Sequence, residues 1–372
     1  MPVRRMGKEV VEKNGYRSRF SHMDETLTPG YYNVMLSTPG VRAELTACDT
    51  HSGIHRYTFV KQSASDTGNY VLVDMNHALA AGAVIGANVT IEIDAASQTT
   101  RIFGWALNHG ALTQRNGRGV DVFVAAEFNN TAAEFGSWGS DFQPQAGRSS
   151  LNGSVAGAYV KFDEEVQSIE MRVAISYVSV AQAQRNLDVG AAGHTFDTCQ
   201  DAVRSDWRGL LGTVEIQMGK EDDLVMFYTA LYHAFQPPTT WTEADGVYLG
   251  MDGIPHVAPK GTVRYTDLSI WDIHRTQIPL LALMQPRVAE NVAGSLVGMY
   301  REGGDIPRWP IANVYSGCMI GTHGNIIISD LVSKNLTGFD IPTAYDGIRQ
   351  QATNATRPHI GRSDLTDYIQ LG

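Results

Sequence analysis

The feature that most limits what this chain can fold into is a change of hydrophobic period near residue 180. Before it, apolar segments of strand length are cut by Gly, Asn, Asp, Ser and Pro. Val41-Arg42-Ala43-Glu44-Leu45 and Ile169-Glu170-Met171-Arg172-Val173 alternate cleanly, a period of two that turns one strand face to a core and the other to water. The predicted strands are 31–36, 41–46, 55–60, 70–75, 89–93, 101–107, 120–128, 158–162 and 169–178. Strands at this spacing, with no helices to make parallel crossovers, predict an antiparallel β-sandwich.

After the change, apolar residues recur at helical spacing over 181–188, 196–210, 222–235, 268–284, 287–301, 317–334 and 342–353. Thr195 or Asp197 suits a cap, Pro342 a first-turn position, and Gly303 and Gly338 follow helices. The expected organisation is a β-sandwich domain over 1–180, a helical linker over 181–215 without a Pro/Ser-rich tether, and an all-α domain over 216–372. A chain of 372 residues that is 43% hydrophobic can furnish two cores.

Charge narrows the partners. A net charge of −10 excludes nucleic acid, whose phosphates would be repelled, and only 18% charged residues suits neutral polar ligands. Cys48, Cys199 and Cys318 stand far apart and form no CxxC pair, so neither a disulfide framework nor a zinc site is expected. No apolar run is long enough to span a bilayer, and the basic N-terminus MPVRRMGKEVVEKNGYRSRF lacks the apolar stretch of a signal peptide. Dinucleotide, Walker, GxSxG and HExxH fingerprints are absent from the sequence.

The stretch from Arg264 to His323 gathers Trp, Asp, Arg and His among apolar helices and is the predicted place for a substrate. In a helix over 268–284, Asp272 and Arg275 stand three apart on one face, with Trp271 beside them. They could pair with each other over a core Trp, or together grip a polyol through charge-assisted hydrogen bonds. Trp309, on the tight loop Gly303-Gly304-Asp305-Ile306-Pro307-Arg308-Trp309, either lids the core or lines a cavity. Tyr228 and Tyr232, four apart, read as core, and His323 reads as a satisfied structural residue. The carboxylates of 245–253 have calcium-loop spacing without a closing Glu, so this segment reads as a structured turn.

Seven blocks carry a resemblance. In order they are FSHMDETLTPGYYNVML, VRAELTACDTHSGIHRYTF, VAISYVSVAQAQRNL, FYTALYHAFQPPT, DGVYLGMDG, YTDLSIWDIHRTQIPLL and IPRWPIANVYSGCMIGTH. Together they resemble glycoside hydrolase family 92, the calcium-dependent exo-acting α-mannosidases, over nearly the whole chain. The resemblance implies an N-terminal β-sandwich followed by the first part of an (α/α)6 barrel over 216–372. It implies inverting hydrolysis of a mannose-containing glycan, with α-1,2-linked mannose the expected substrate. Trp271 and Asp272 match the pair that holds the terminal mannose in that family, Arg275 matches the Arg that follows, and Trp309 joins them as an expected substrate-binding residue. A secreted or otherwise extracytoplasmic full-length protein is expected.

The departures shape the rest of the expectation. The family's earliest β segments are expected before residue 1, and the second half of the barrel after Gly372. General acid, general base and calcium ligands belong to motifs outside this chain, so no residue here is assigned to catalysis or to metal, and the chain alone is expected to be inactive. Val314-Tyr315-Ser316 stands where an acidic residue is expected in many members. Two further readings are a mannose-phosphate diester hydrolase of the same family and a non-catalytic glycan-binding relic.

Overall fold

The structure is a computed structural model, and it describes residues 1–372 except 13–14, 61–67, 80–81, 95, 111, 114–118, 218, 357–358, 360–361, 363–364 and 372. By internal contacts the chain divides into two units, Met1–His109 with Asp121–Leu210, and Gly110–Val120 with Leu211–Gly372.

The first unit is built from β1 (Pro2–Val3), a single turn α1 (Lys8–Val11), β2 (Glu25–Thr28), β3 (Tyr31–Leu36), β4 (Val41–Asp49), β5 (Ser52–Phe59), β6 (Asn69–Asp74), β7 (Ala83–Asp94), β8 (Thr99–His109), β9 (Val120–Phe128), β10 (Glu134–Trp138), β11 (Gln145–Ala146), β12 (Ser150–Gly153), β13 (Gly157–Phe162) and β14 (Ser168–Ser176). They form two sheets, in the orders β1-β6-β13-β10-β11 and β12-β7-β8-β9-β14-β5-β4-β3-β2. The pairings within both are antiparallel, as the alternating pattern requires.

The alternation does the packing. On β8 the side chains of Thr100, Ile102 and Ala106 are buried while Arg101 and Phe103 are only partly so, and Ile102 shares one core with Val41, Phe128, Val160, Phe162 and Ile169. β13 is buried along nearly all its length, and its Gly157 lets Trp138 lie against the backbone. A Cβ there would sit 2.0 Å from the indole.

Helices α2 (Val180–Gly190) and α3 (Phe196–Leu211) pack on the sheet that contains β5, β9 and β14 rather than standing free. Ala183 and Leu187 join Ala125 and Ala174, while Phe196 and Cys199 join Ile54. The Ser179 side chain caps α2 by accepting the Gln182 N–H at 3.0 Å, and the Thr195 hydroxyl accepts the Thr198 N–H at 3.3 Å at the start of α3. Asp197 instead lies inside α3 and pairs with Arg56 at 3.0 Å. Here the structure corrects the cysteine expectation: Cys48 at the end of β4 and Cys199 on α3 are disulfide-bonded across a sequence separation of 151, and Cys318 is free. Sequence spacing could not show a pairing made by a strand end and a distant helix.

The second unit is helical, with α4 (Glu221–Phe235), α5 (Ile270–Ile273), α6 (Gln277–Met284), α7 (Pro286–Gly303), α8 (His323–Ser333), α9 (Ile341–Thr353) and α10 (Leu365–Leu371). At its centre is α7, whose Ala289, Val292, Ala293, Leu296 and Val297 are buried against Ile278, Leu281, Ile327, Leu331 and Ala344. Gly304, at φ 86°, ends α7, as a left-handed residue does at a helix C-terminus.

Two predicted helices are shorter than expected. The segment 268–284 breaks into α5 and α6 because the Pro279 ring cannot follow a helical carbonyl at Arg275, so α6 begins only at Gln277. The segment 317–334 retains α8 alone, since Gly317, Met319 and Gly321 have φ of 65°, 60° and 79°.

Candidate functional site

Two chain segments of the helical unit are tied together by one backbone and two side-chain-to-backbone hydrogen bonds. The Leu268 N–H donates to the Pro310 carbonyl at 3.3 Å, Thr266 Oγ1 donates to the Ala312 carbonyl at 2.6 Å, and the Ala312 N–H donates to Asp267 Oδ1 at 3.1 Å. Asp267 and Ala312 have φ of 54° and 50°. A left-handed non-glycine residue costs about 1–2 kcal/mol, and here the bond between the two residues, with that from Thr266, holds both in place. The stretch leading to Trp271 therefore runs beside the hairpin Pro310–Ile311 and Val314–Tyr315 that follows Trp309.

The Trp309 loop is fixed from below. Tyr315, buried, donates its hydroxyl to the Asp305 carbonyl at 2.7 Å, and Gln351 Nε2 donates to the Ile306 carbonyl at 2.7 Å. The Asp305 carboxylate meets His359 Nδ1 at 2.6 Å, and both side chains are almost fully buried. Trp309 is half-buried, and its carbonyl accepts from Ser316 N–H at 3.2 Å and Ser316 Oγ at 2.8 Å. Val314-Tyr315-Ser316, where an acid was expected, thus serves as the strut of this loop.

Trp271 is 43% exposed, and Asp272 and Arg275 are exposed. The helix face that Asp272 and Arg275 were expected to share does not form, because α5 ends at Ile273 and Arg275 lies in the following turn. Asp272 accepts a hydrogen bond from the Ser269 hydroxyl, and among the described residues no ion pair joins it to Arg275. An internal ion pair over a core Trp is therefore not what these residues make. They present an indole face, a carboxylate and a guanidinium to the surface.

His274 and His323 lie beside them, with ring centroids 4.2 Å apart. Burial pushes the His323 imidazole below its ordinary value, the neighbouring His274 adds to the effect, and Arg275 contributes further against the opposing Ile320 carbonyl. His323 was expected to be a satisfied structural histidine; its imidazole bonds the Ile320 backbone, while its Nδ1 meets no partner within hydrogen-bond distance.

The 245–253 segment is a turn within a hairpin of Val247–Leu249 and Pro255–Val257, where Asp252 accepts the Ile254 N–H at 3.0 Å and meets His256 Nε2 at 2.9 Å. Nor does another acidic cage appear: among the described residues no group of three or more His, Cys, Asp or Glu side chains gathers. Calcium takes about six to eight oxygen ligands, so the described residues do not by themselves fit that ion, and no step below runs through it.

Residues 1–176 match the sequence profile of the Glycosyl hydrolase family 92 N-terminal domain, and residues 182–372 match that of the Glycosyl hydrolase family 92 catalytic domain. This chain belongs to glycosyl hydrolase family 92. Its fold is that of the family 92 α-mannosidase BT3965 from Bacteroides thetaiotaomicron, with TM-score 0.84 and 26% identity over 96% of this chain and 48% of that one. The family 92 inverting mannosidase BT2199 from Bacteroides thetaiotaomicron VPI-5482 is similar at TM-score 0.84 and 26% identity, over 100% of this chain and 48% of its own. The family 92 glycosyl hydrolase ccman5 follows at TM-score 0.77 and 25% identity, over 94% of this chain and 46% of its own. No curated protein sequence matches. The chain spans about half the length of these structures.

Sequence reasoning missed several residues of the family 92 helical unit that set this geometry. Asp267 and Ser269 flank the Trp-Asp pair and fix its surroundings through hydrogen bonds, and His274 donates from Nδ1 to the Trp271 carbonyl at 2.9 Å. Asp267 and Ser269 carried a usable signal, since short polar side chains just before a helix commonly bond to nearby backbone or side chains. The bond from His274 needed the turn after α5, which only folding makes.

Proposed function

We propose that this family 92 chain holds the terminal mannose for an exo-acting α-mannosidase that removes α-1,2-linked mannose from glycans with inversion. The observation that carries the reading is the exposed Trp271-Asp272 pair beside the Trp309 loop, in a chain folded like mannosidases. One of those relatives, BT3965, is also known in complex with mannoimidazole, and another is described as inverting.

Each residue has a task within this proposal. The Trp271 face covers the apolar C–H side of the sugar ring, and half-buried Trp309 borders the same subsite. Asp272 exchanges its Ser269 partner for two sugar hydroxyls, which donate to its oxygens. Arg275 donates to sugar oxygens from the adjoining turn. None of these is the acid or base of the reaction. Inversion needs one carboxylic acid at the leaving oxygen and one carboxylate at water, roughly 6.5–9.5 Å apart, and Asp272, engaged with sugar hydroxyls, takes neither role.

The test uses the protein that carries this chain and follows mannose release from α-1,2-, α-1,3- and α-1,6-mannobiosides. Asp272→Ala should lower kcat/KM by roughly ten- to a hundredfold, the loss of a charged hydrogen bond of about 1.5–3 kcal/mol. An unchanged kcat/KM would remove Asp272 from the sugar site, and preference for another linkage would overturn the α-1,2 assignment.

A further inference from the structure

A hollow in the helical unit lies along α7, between the segment 259–264 and the loop 338–340 that leads into α9. Glu290, Gly294, Val297 and Arg301 follow one another on α7 at steps of four, three and four, so they share one helix face, and that face lines the hollow. Gly294 leaves the middle of the face without a side chain. The volume is about 110 Å³, well above the roughly 10–15 Å³ that one water requires and below the roughly 300–1,000 Å³ of sites for drug-sized molecules. Its occupant is therefore small. None of Trp271, Asp272, Arg275 and Trp309 lines it.

The polar groups of the hollow keep bonding capacity in both senses. Asn291 is 7% exposed and lines it, yet among the described residues its carboxamide makes no hydrogen bond, where a buried carboxamide ordinarily finds partners. Two N–H donors and an acceptor oxygen stand there unused. Glu290 Oε1 accepts the Gly338 N–H at 2.8 Å, which leaves Oε2 to accept from a ligand. Arg264 donates to the Gly294 carbonyl and keeps further N–H groups.

Charge and shape select the class of ligand. Glu290 opposes an anion, Arg264 opposes a cation, and Arg301 and Asp340 neutralise each other as an ion pair. A neutral molecule whose groups both donate and accept fits such a lining, and hydroxyls do both. Val263, Val297 and Phe339 supply apolar surface beside the polar groups, which matches the C–H side of a sugar ring. We infer that this hollow is a second saccharide site, which takes one neutral sugar ring with Asn291 and Glu290 on its hydroxyls. The inference stands on this cavity and does not use the mannose-holding role proposed for Trp271 and Asp272.

Saturation-transfer difference NMR on the Asp272→Ala chain, whose proposed terminal-mannose site is disabled, tests it with D-mannose, D-glucose and D-galactose as probes. At least one sugar should still receive magnetisation, and Asn291→Leu in that background should weaken its binding roughly tenfold through lost hydrogen bonds. Gly294→Ala serves as a second variant that keeps the fold. Its Cβ would stand 3.6 Å from Arg264 and 3.7 Å from Phe339, ordinary contact distances, and Ala suits a helix better than Gly. It should leave thermal stability intact or higher while weakening the sugar signal by filling the floor. No signal from any of the three sugars in the Asp272→Ala chain, signals unchanged in both variants, or displacement of the sugar by inorganic phosphate would each overturn the assignment. Sugar binding by the parent that vanishes entirely in Asp272→Ala would overturn it too, while leaving the terminal-mannose reading in place.

Discussion

A carboxylate serves a sugar only while its oxygens can change partners, and Asp272 meets that condition: it is exposed and held by one hydroxyl, that of Ser269. Other side chains of the fold are committed, such as Glu44, which takes Arg56 at 2.9 Å and the Tyr31 hydroxyl at 2.9 Å. Histidines show the opposite effect of burial. His55, whose Nδ1 faces the Tyr57 hydroxyl at 2.8 Å, is pushed down to about 4 by burial, and His323 is pushed down by burial and by His274. Below a pH of about 6.5 the unfolded chain takes up these protons first, so stability that is complete above that pH falls as the solution is acidified. For His55, half-buried, the loss between pH 7 and 5 should be about 1 kcal/mol after allowance for solvent screening. Urea unfolding at the two pH values should show a smaller loss in His55→Leu than in the parent, and an equal loss would reject the assignment.

At the scale of elements, termini were the decisive features. Helix α9 starts where Asp340 accepts the Thr343 N–H at 3.0 Å and its hydroxyl at 3.0 Å, with a Pro in the first turn. Those bonds and Arg301 hold the Asp340 carboxyl below its ordinary value. Asp340→Ala should cost about 1 kcal/mol of stability, and Asp340→Asn, which keeps a capping oxygen, appreciably less. Equal losses in thermal unfolding would mean that the charge facing Arg301, rather than the cap, holds this end. The break between α5 and α6 was legible in principle, because Pro279 stands in the sequence, but the apolar run of Ile278, Leu280 and Leu281 masked it. The hairpin strands after residue 238 were not legible. They are two or three residues long and take their register from turns and from each other.

Across the whole molecule the largest single constraint is the Cys48–Cys199 disulfide, which closes a sequence separation of 151 within the sandwich unit. Chain-entropy estimates give roughly 3–5 kcal/mol for such a loop, so C48S/C199S should unfold at clearly lower temperature than the parent, and reductant should lower the parent toward the variant. Thiol titration of the denatured parent should find one reactive cysteine before reduction and three after it; three at the outset would show that the bond does not form. Much else at this scale was settled by the sequence alone. Strand-length apolar segments before residue 180, several of them alternating, and a helical period after it leave an antiparallel sandwich and a helical layer as the ways to bury the apolar faces, and strands such as Tyr31–Leu36 and Val120–Phe128 fall where those segments put them. The ordered blocks likewise identified the family. Only the tertiary structure decided which polar groups meet: the disulfide, the backbone junction between Leu268 and Pro310, the release of Asp272 from Arg275, and the contact of His274 with His323. The reason is range. Periodicity reports how each residue faces its own element, whereas these meetings join side chains from separate elements and depend on how the elements pack.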